Sequence, residues 1–456
     1  MTQKKANQSL IAAPDGSSYL FPFILVTSLF FLWGFAHSIL DVLNKHFQEI
    51  LGVSKAQSGL VQAAVYGGYF IMAIPAGMFM KRFGYKKGII FGLLLYAFGA
   101  FLFYPATHIQ TFWAFLVALF IIALGLTCLE TAANPYSSVL GPPEKAEQRL
   151  SLSQSFNGLG WVFGPMIGSL VIFASAGGAD KFSSLAIPYV GIGIVVLLIA
   201  IFFWRTRLPE ISETSTELTQ EPDKKEKTLI QEYSTLFSYR HFVLAVVAQF
   251  FYVAAQTSIN SFFINYVTDI FKDSASNSVA GSGLISRFIA WVASSNPGIT
   301  DQQAIYNTTA GILLSLAGMG LFMVGRFLGT LFMSWYKPQR LLAVYAMASV
   351  VLMAVVVSGA GIVAIIALCL TYFFMSIMFP TIFALGLKNM GSQTKRASSF
   401  IVMAIVGGAI FPALMGYIAD RTSMQAGFVV PLICFIVVLL YSLFGYKPSE
   451  KSLVKS

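Results

Sequence analysis

The sequence predicts an all-α polytopic membrane protein, and three observations carry that prediction. Only 11% of the 456 residues are charged while 57% are hydrophobic, against about 25% charged in soluble domains. Apolar runs recur from Phe21 to Tyr446, each close to the roughly 20 residues that cross a bilayer as a helix. Lys and Arg gather in alternate connections between those runs, as they do where loops alternate between two sides of a membrane.

Taken in order, the runs lie at about 19–46, 57–80, 87–106, 111–138, 148–174 and 186–206. Six more follow, at about 239–270, 304–333, 341–358, 361–387, 395–419 and 426–446. The first is preceded by a polar N-terminus and is long enough to span, so it reads as a helix rather than a cleaved leader. Basic pairs Lys81–Arg82 and Lys86–Lys87 separate the second and third runs. Turn-forming "GPPEKAEQ" separates the fourth from the fifth, and "SGAG" ends the ninth.

With the N-terminus inside, the inner connections also hold Lys145, Arg149, Arg205, Arg207, Lys224, Arg240, Lys337, Arg340, Lys388 and Arg396. The outer ones keep Lys45, Lys55, Lys181, Lys272, Arg287 and Arg421. This imbalance places both termini on the cytoplasmic side. It also explains the formal charge of +10 without a nucleic-acid partner.

The charged stretch "RLPEISETSTELTQEPDKKEKTLIQEY" has the composition of a solvated linker. It divides the chain into residues 1–206, a linker over 207–238 and residues 239–456, with six helices in each half. The two halves resemble one another. Arg149, Ser151, Gly160 and Pro165 face Arg396, Ser398, Gly407 and Pro412 at one constant offset. Repeated halves with a site between them near the midplane are a transporter arrangement. The outer segment between the seventh and eighth runs carries "LISRFIAWVA", which lies either on the membrane surface or in an ordinary folded loop.

Of 19 acidic residues, Asp41 and Glu130 are the two read as lying well inside a span. Placing such a group there costs about 2.5–3.5 kcal/mol on insertion scales, so it is usually tied to function. A carboxyl group away from water disfavours its charged form and can exchange a proton near neutral pH. Two of them at different depths are therefore read as proton-coupling groups. His37 and Lys45 flank Asp41 at four-residue spacing, on the same helix face. Lys45 either pairs with Asp41 or extends outward to the interface, and the second reading is favoured. His37 is read as a hydrogen-bonding residue.

Polar residues at helical spacing mark other faces. Asn134 follows Glu130 by one turn, Ser151, Gln154, Asn157 and Trp161 form a stripe, and Gln249, Tyr252, Gln256 and Asn260 form another. Amides carry both donors and acceptors, which suits a ligand made of hydroxyls, and adjacent aromatic faces suit the C–H face of a sugar. The competing reading is hydrogen bonding between helices, worth roughly 0.6 kcal/mol per contact. The three cysteines, Cys128, Cys369 and Cys434, sit in separate runs and read as packing residues. No metal-ligand spacing is visible, and no cofactor is expected beyond the proton as coupling ion.

Several segments resemble one family. "SLFFLWGFAHSILDVL", "CLETAANPYSSVLGP", "RLSLSQSFNGLG", "AQFFYVAAQTSINSFFINYV" and "FMSIMFPTIFALGLKNMG" look like the fucose–galactose–glucose–proton symporter branch of the major facilitator superfamily. Within it the sequence looks most like the bacterial L-fucose:proton symporters. The resemblance implies the superfamily fold and alternating access in a bacterial inner membrane, by a monomer that takes a sugar and a proton. It implies that Asp41 couples the proton, that Glu130 serves both sugar and proton, and that Gln154 and Asn157 hold the sugar. Ser38 is added as a sugar-site position because it stands where the fucose symporters commonly carry asparagine; His37 replaces another asparagine, so the sugar preference is open. A glucose, galactose or amino-sugar symporter, a proton-coupled antiporter and a non-transporting sugar sensor are the alternatives. No enzyme constellation is visible, and no phosphate-binding loop for an ATP-driven pump.

Overall fold

A computed structural model describes residues 11, 18–142, 146–173, 183–206, 236–276, 283–297, 299, 301–333, 335–390 and 394–447. The linker expected at 207–238 lies mostly outside the described residues. Among them, twelve helices are long and apolar enough to cross a membrane. They are α1 (Leu20–Leu51), α2 (Lys55–Met80), α3 (Tyr85–Ile109), α4 (Phe112–Asn134), α5 (Leu152–Phe173) and α6 (Ala186–Arg205). The rest are α7 (Arg240–Asp273), α8 (Gln302–Phe332), α9 (Pro338–Val357), α10 (Ile362–Gly386), α11 (Phe400–Arg421) and α12 (Met424–Gly445).

By packing, the chain forms two compact units. One holds Met1–Leu40 with Gly67–Glu217, and the other holds Asp41–Tyr66 with Leu218–Ser456. Both α1 and α2 are therefore shared, each giving one end to each unit.

In the first unit, α3 and α4 meet through small residues. A Cβ at Gly92 would lie 2.9 Å from the Gly125 carbonyl oxygen, and one at Gly99 would lie 2.7 Å from the Ile122 amide nitrogen. Without a solvent-driven hydrophobic force between membrane helices, such backbone approach supplies the packing energy. Loop ends are tied by basic residues near the connections between helices. Lys86 donates to the carbonyls of Trp204 and Thr206 at 3.0 and 2.8 Å, satisfying groups freed at the end of α6. Arg149 is fully buried and donates to the carbonyls of Ser137 and Pro142 at 3.2 and 2.9 Å.

The internal repeat has a structural counterpart. A Cβ at Gly160 of α5 would collide with the Phe31 carbonyl oxygen of α1, and one at Gly407, just inside α11, would collide with the Phe250 carbonyl oxygen of α7. Each repeat thus presses its fifth helix onto its first at the same position. Pro165 and Pro412 both sit inside their helices. These contacts explain why small residues recur at that offset.

In the second unit, residues 41–66 are bound by polar groups of later helices. Asn44 donates to the Ser261 carbonyl, and Gln48 pairs with Asn265, whose Nδ2 donates to Gln48 Oε1 at 2.6 Å. Asn307 donates to both carboxylate oxygens of Glu49, at 2.8 and 2.7 Å. The Asp420 carboxylate accepts the Lys55 and Ala56 N–H groups at 3.0 and 2.9 Å, at the start of α2. An acid at a helix N-terminus satisfies donors that the helix leaves free. Ser54 and Gln57 complete the cap there as a reciprocal box.

The segment "LISRFIAWVA" between α7 and α8 forms a helix, Leu284–Ser295. Its Trp291 is 57% exposed and stacks on Phe288 with ring centroids 5.7 Å apart.

Candidate sugar and proton sites

In the first unit, Glu130, Asn134 and Gln154 come together. Asn134 Nδ2 donates to the Glu130 backbone carbonyl at 3.2 Å, and its Oδ1 accepts from Gln154 Nε2 at 3.2 Å. All three residues are half-buried. The Glu130 carboxylate forms no hydrogen bond or ion pair with a described residue and retains its full accepting capacity. A carboxylate beside two linked amides, half open and inside a span, presents acceptors and donors together.

Asn157 and Ser38 lie instead in the seam between α1 and α5. Asn157 is 6% exposed and donates to the Phe30 carbonyl at 3.0 Å. Ser38 is fully buried and lies within reach of the carbonyls of Phe35 and Gly160, at 3.2 and 3.1 Å. Both polar groups are engaged with backbone. The Ser151 side chain lies outside the described residues.

His37 sits among aromatic rings. Its Nε2 is 2.9 Å from the Tyr69 hydroxyl, its ring stacks on Trp161 at 5.9 Å, and Trp33 meets it edge-on at 6.2 Å. It is a hydrogen-bonding residue here, and the described residues contain no group of three or more metal-ligating side chains.

In the second unit, Asp41 is 2% exposed. Gln62 Nε2 donates to its Oδ1 at 3.2 Å, while Oδ2 is buried with no hydrogen-bond partner. An unpaired buried carboxylate oxygen costs several kcal/mol if charged. Lys45 does not neutralise it: its Nζ lies 3.5 Å from Glu49 Oε1, one turn further along α1. Lys45 is only 8% exposed; it neither pairs with Asp41 nor extends to the interface, the reading favoured from the sequence, and is held inside the packing by Glu49. Tyr372 of α10 likewise has a buried, unpartnered hydroxyl.

The α7 stripe is divided by burial. Tyr252 is fully buried and its hydroxyl donates to the Met375 carbonyl at 3.0 Å. Asn260 is 4% exposed with an unpartnered Oδ1, and Gln249 is fully buried with both amide atoms unpartnered. Gln256 alone of the four is half-buried.

Besides Gln62, which bonds Asp41, a charged residue inside a span falls outside the predicted site: Arg326 of α8. It lies inside "MVGRFLG" and is exposed, with its guanidinium carbon 4.8 Å from the centre of the Phe322 ring. A signal existed: a permanently charged group inside an apolar run, as with the two acids.

These features define the class as a twelve-span helical membrane protein with carboxylates set among amides inside its spans. The sequence profile of the Major Facilitator Superfamily matches residues 26–405, and the chain belongs to that superfamily. It is 38% identical to the L-fucose-proton symporter of Escherichia coli (strain K12), over 95% of this chain and 94% of that one. It is 34% identical to the glucose/galactose transporter of Brucella abortus biovar 1 (strain 9-941), over 94% and 95% of the two chains. The crystal structure of the E. coli fucose symporter in the outward conformation superposes with a TM-score of 0.61 at 37% identity, covering 94% of this chain and 99% of that one.

Proposed function

We propose that the protein is a secondary active transporter that takes up a neutral hexose, of the L-fucose or galactose and glucose kind, together with a proton. The observation that carries this reading is the Glu130–Asn134–Gln154 cluster, in which Asn134, one turn from the intramembrane Glu130, bonds the Glu130 backbone carbonyl and the Gln154 amide, groups that match hydroxyl chemistry. The similarity to a fucose-proton symporter and to a glucose/galactose transporter supports the same substrate class. Asp41, enclosed with one free oxygen, is the proton carrier in this account. Gln256, half-buried, is kept as a further sugar-contact residue, whereas Asn157, Ser38, Tyr252 and Asn260 are buried and packed within their own units.

The protein acts as a monomer in a bacterial inner membrane, with both termini in the cytoplasm, and uses no cofactor beyond the proton. Ser38 and His37 give one observation in favour of a hexose other than L-fucose. Ser38 is turned into the α1–α5 seam, and His37 is stacked and hydrogen-bonded, so neither offers an amide to the sugar.

Uptake of labelled L-fucose, D-galactose and D-glucose into vesicles tests the reading. One of the three is expected to accumulate under an acid-outside gradient and to stop accumulating when a protonophore is added. Absence of uptake for all three, or an absolute requirement for sodium, would contradict it.

A further inference from the structure

The helix Leu284–Ser295 links the end of α7 to the start of α8 and takes no part in the sites described above. Those two span ends lie side by side, with the rings of Phe271 and Tyr306 centred 5.8 Å apart. The helix packs against the start of α8, within the same unit. Its 12 residues reach about 18 Å, too short to cross a hydrocarbon core about 30 Å thick. It therefore sits at the level where the two spans leave the hydrocarbon.

Its two faces differ. At about 100° per residue, Ile289, Val292 and Ala293 share one face. Val292 is fully buried there and the other two are half-buried. Asn296 Nδ2 donates to the Val292 carbonyl at 2.9 Å and closes the helix end, and Ile299 is buried just beyond it. On the opposite face Arg287, Ala290, Trp291 and Ser294 are all exposed. Trp291 is 57% exposed, with its ring nearly parallel to that of Phe288 beneath it.

An exposed indole and an exposed guanidinium one turn apart suit one kind of surrounding. In water the indole would leave a large apolar ring uncovered. At the headgroup level the ring meets apolar chain while its N–H meets polar groups, which is why Trp collects there. Among the described residues no carboxylate lies within salt-bridge distance of Arg287, so its charge is available to a phosphate. The bilayer that surrounds α7 and α8 is continuous with this face, and the charge selects its anionic lipids.

We infer that the helix Leu284–Ser295 lies in the membrane interface, with Trp291 seated among the lipid headgroups and Arg287 on the phosphate of an anionic phospholipid. The inference holds whichever solute the protein carries.

The test places a fluorophore on the exposed face of the full-length protein in proteoliposomes. Cys128, Cys369 and Cys434 are buried, so Ala290→Cys supplies the reactive thiol, and size exclusion establishes that the labelled protein is folded. Two quenchers are compared: a nitroxide on the lipid headgroup, and iodide in the water on both sides of the membrane. Strong quenching by the nitroxide and weak quenching by iodide are expected. Spin-labelled phosphatidylglycerol is expected to be enriched at the fluorophore over spin-labelled phosphatidylcholine, by up to about fivefold, the scale of one basic side chain at an anionic surface. Adding Arg287→Gln is expected to equalise the two lipids. Quenching by iodide alone would place the face in water, and protection from both quenchers would place protein over it, a second copy included. Either result overturns the inference. Equal quenching by the two lipids before Arg287 is changed, or a preference that survives Arg287→Gln, would overturn the phosphate contact.

Discussion

Asp41→Asn is expected to reduce sugar accumulation driven by a pH gradient to the level of membranes lacking the protein. Asparagine copies the shape of a protonated aspartate and keeps a group for Gln62 to bond, so the helix contact survives. It cannot release a proton. Asp41 is 2% exposed with one carboxylate oxygen unpartnered, and Lys45 is committed to Glu49 rather than to it. Among the described residues no cation therefore pairs with a permanent negative charge there, and a carrier that alternates between protonated and charged forms fits the site. Exchange of labelled for unlabelled sugar at equal concentrations needs no net proton movement, and it is expected to persist in the variant. Measuring uptake and exchange on the same vesicles separates coupling from binding. Accumulation that persists in Asp41→Asn would remove Asp41 from the coupling step.

Glu130→Ala is expected to weaken sugar binding itself, about tenfold or more. That corresponds to losing a hydrogen bond to a charged group, about 1.5–3 kcal/mol. The carboxylate is half-buried and forms none of the observed side-chain hydrogen bonds, so its removal leaves the Asn134–Gln154 pair intact. Folded protein should appear at normal levels. Equilibrium binding on purified protein checks both parts. Unchanged affinity in the folded variant would show that Glu130 does not touch the sugar.

Much of this architecture was legible before any coordinates, because a bilayer allows few solutions. Each apolar run had to be a helix, and the twelve runs match twelve helices, with ends shifted by a few residues. The first run was read to 46, but α1 continues to Leu51. Its last turn is polar because Glu49 and Gln48 bond to Asn307 and Asn265, a long-range fact that no local pattern records. The repeat at Gly160 and Gly407 was legible because close backbone approach demands glycine.

The site was legible in its charges and less so in its neutral residues. Asp41 and Glu130 stood out because ions in a span are costly. Tyr252, Gln256 and Asn260 share a helical stripe, yet Tyr252 is sealed by Met375 while Gln256 is half-open. Spacing fixes which residues share a face; it does not show what covers each part of that face. Ser38 was read as a sugar position by resemblance, and its hydroxyl is taken up by the helix seam. Arg326, inside α8, carries the same signal, because the cost argument for an ion in a span applies equally to a guanidinium.

The central claim is that sugar and proton enter together, and proton movement on adding sugar tests it most directly. Energy-starved cells carrying the protein are suspended in weak buffer, and the sugar that is transported best is added while external pH is recorded. The account predicts a transient alkalinisation of the medium that a protonophore abolishes and that Asp41→Asn lacks. Net sugar entry with no change in external pH would contradict it.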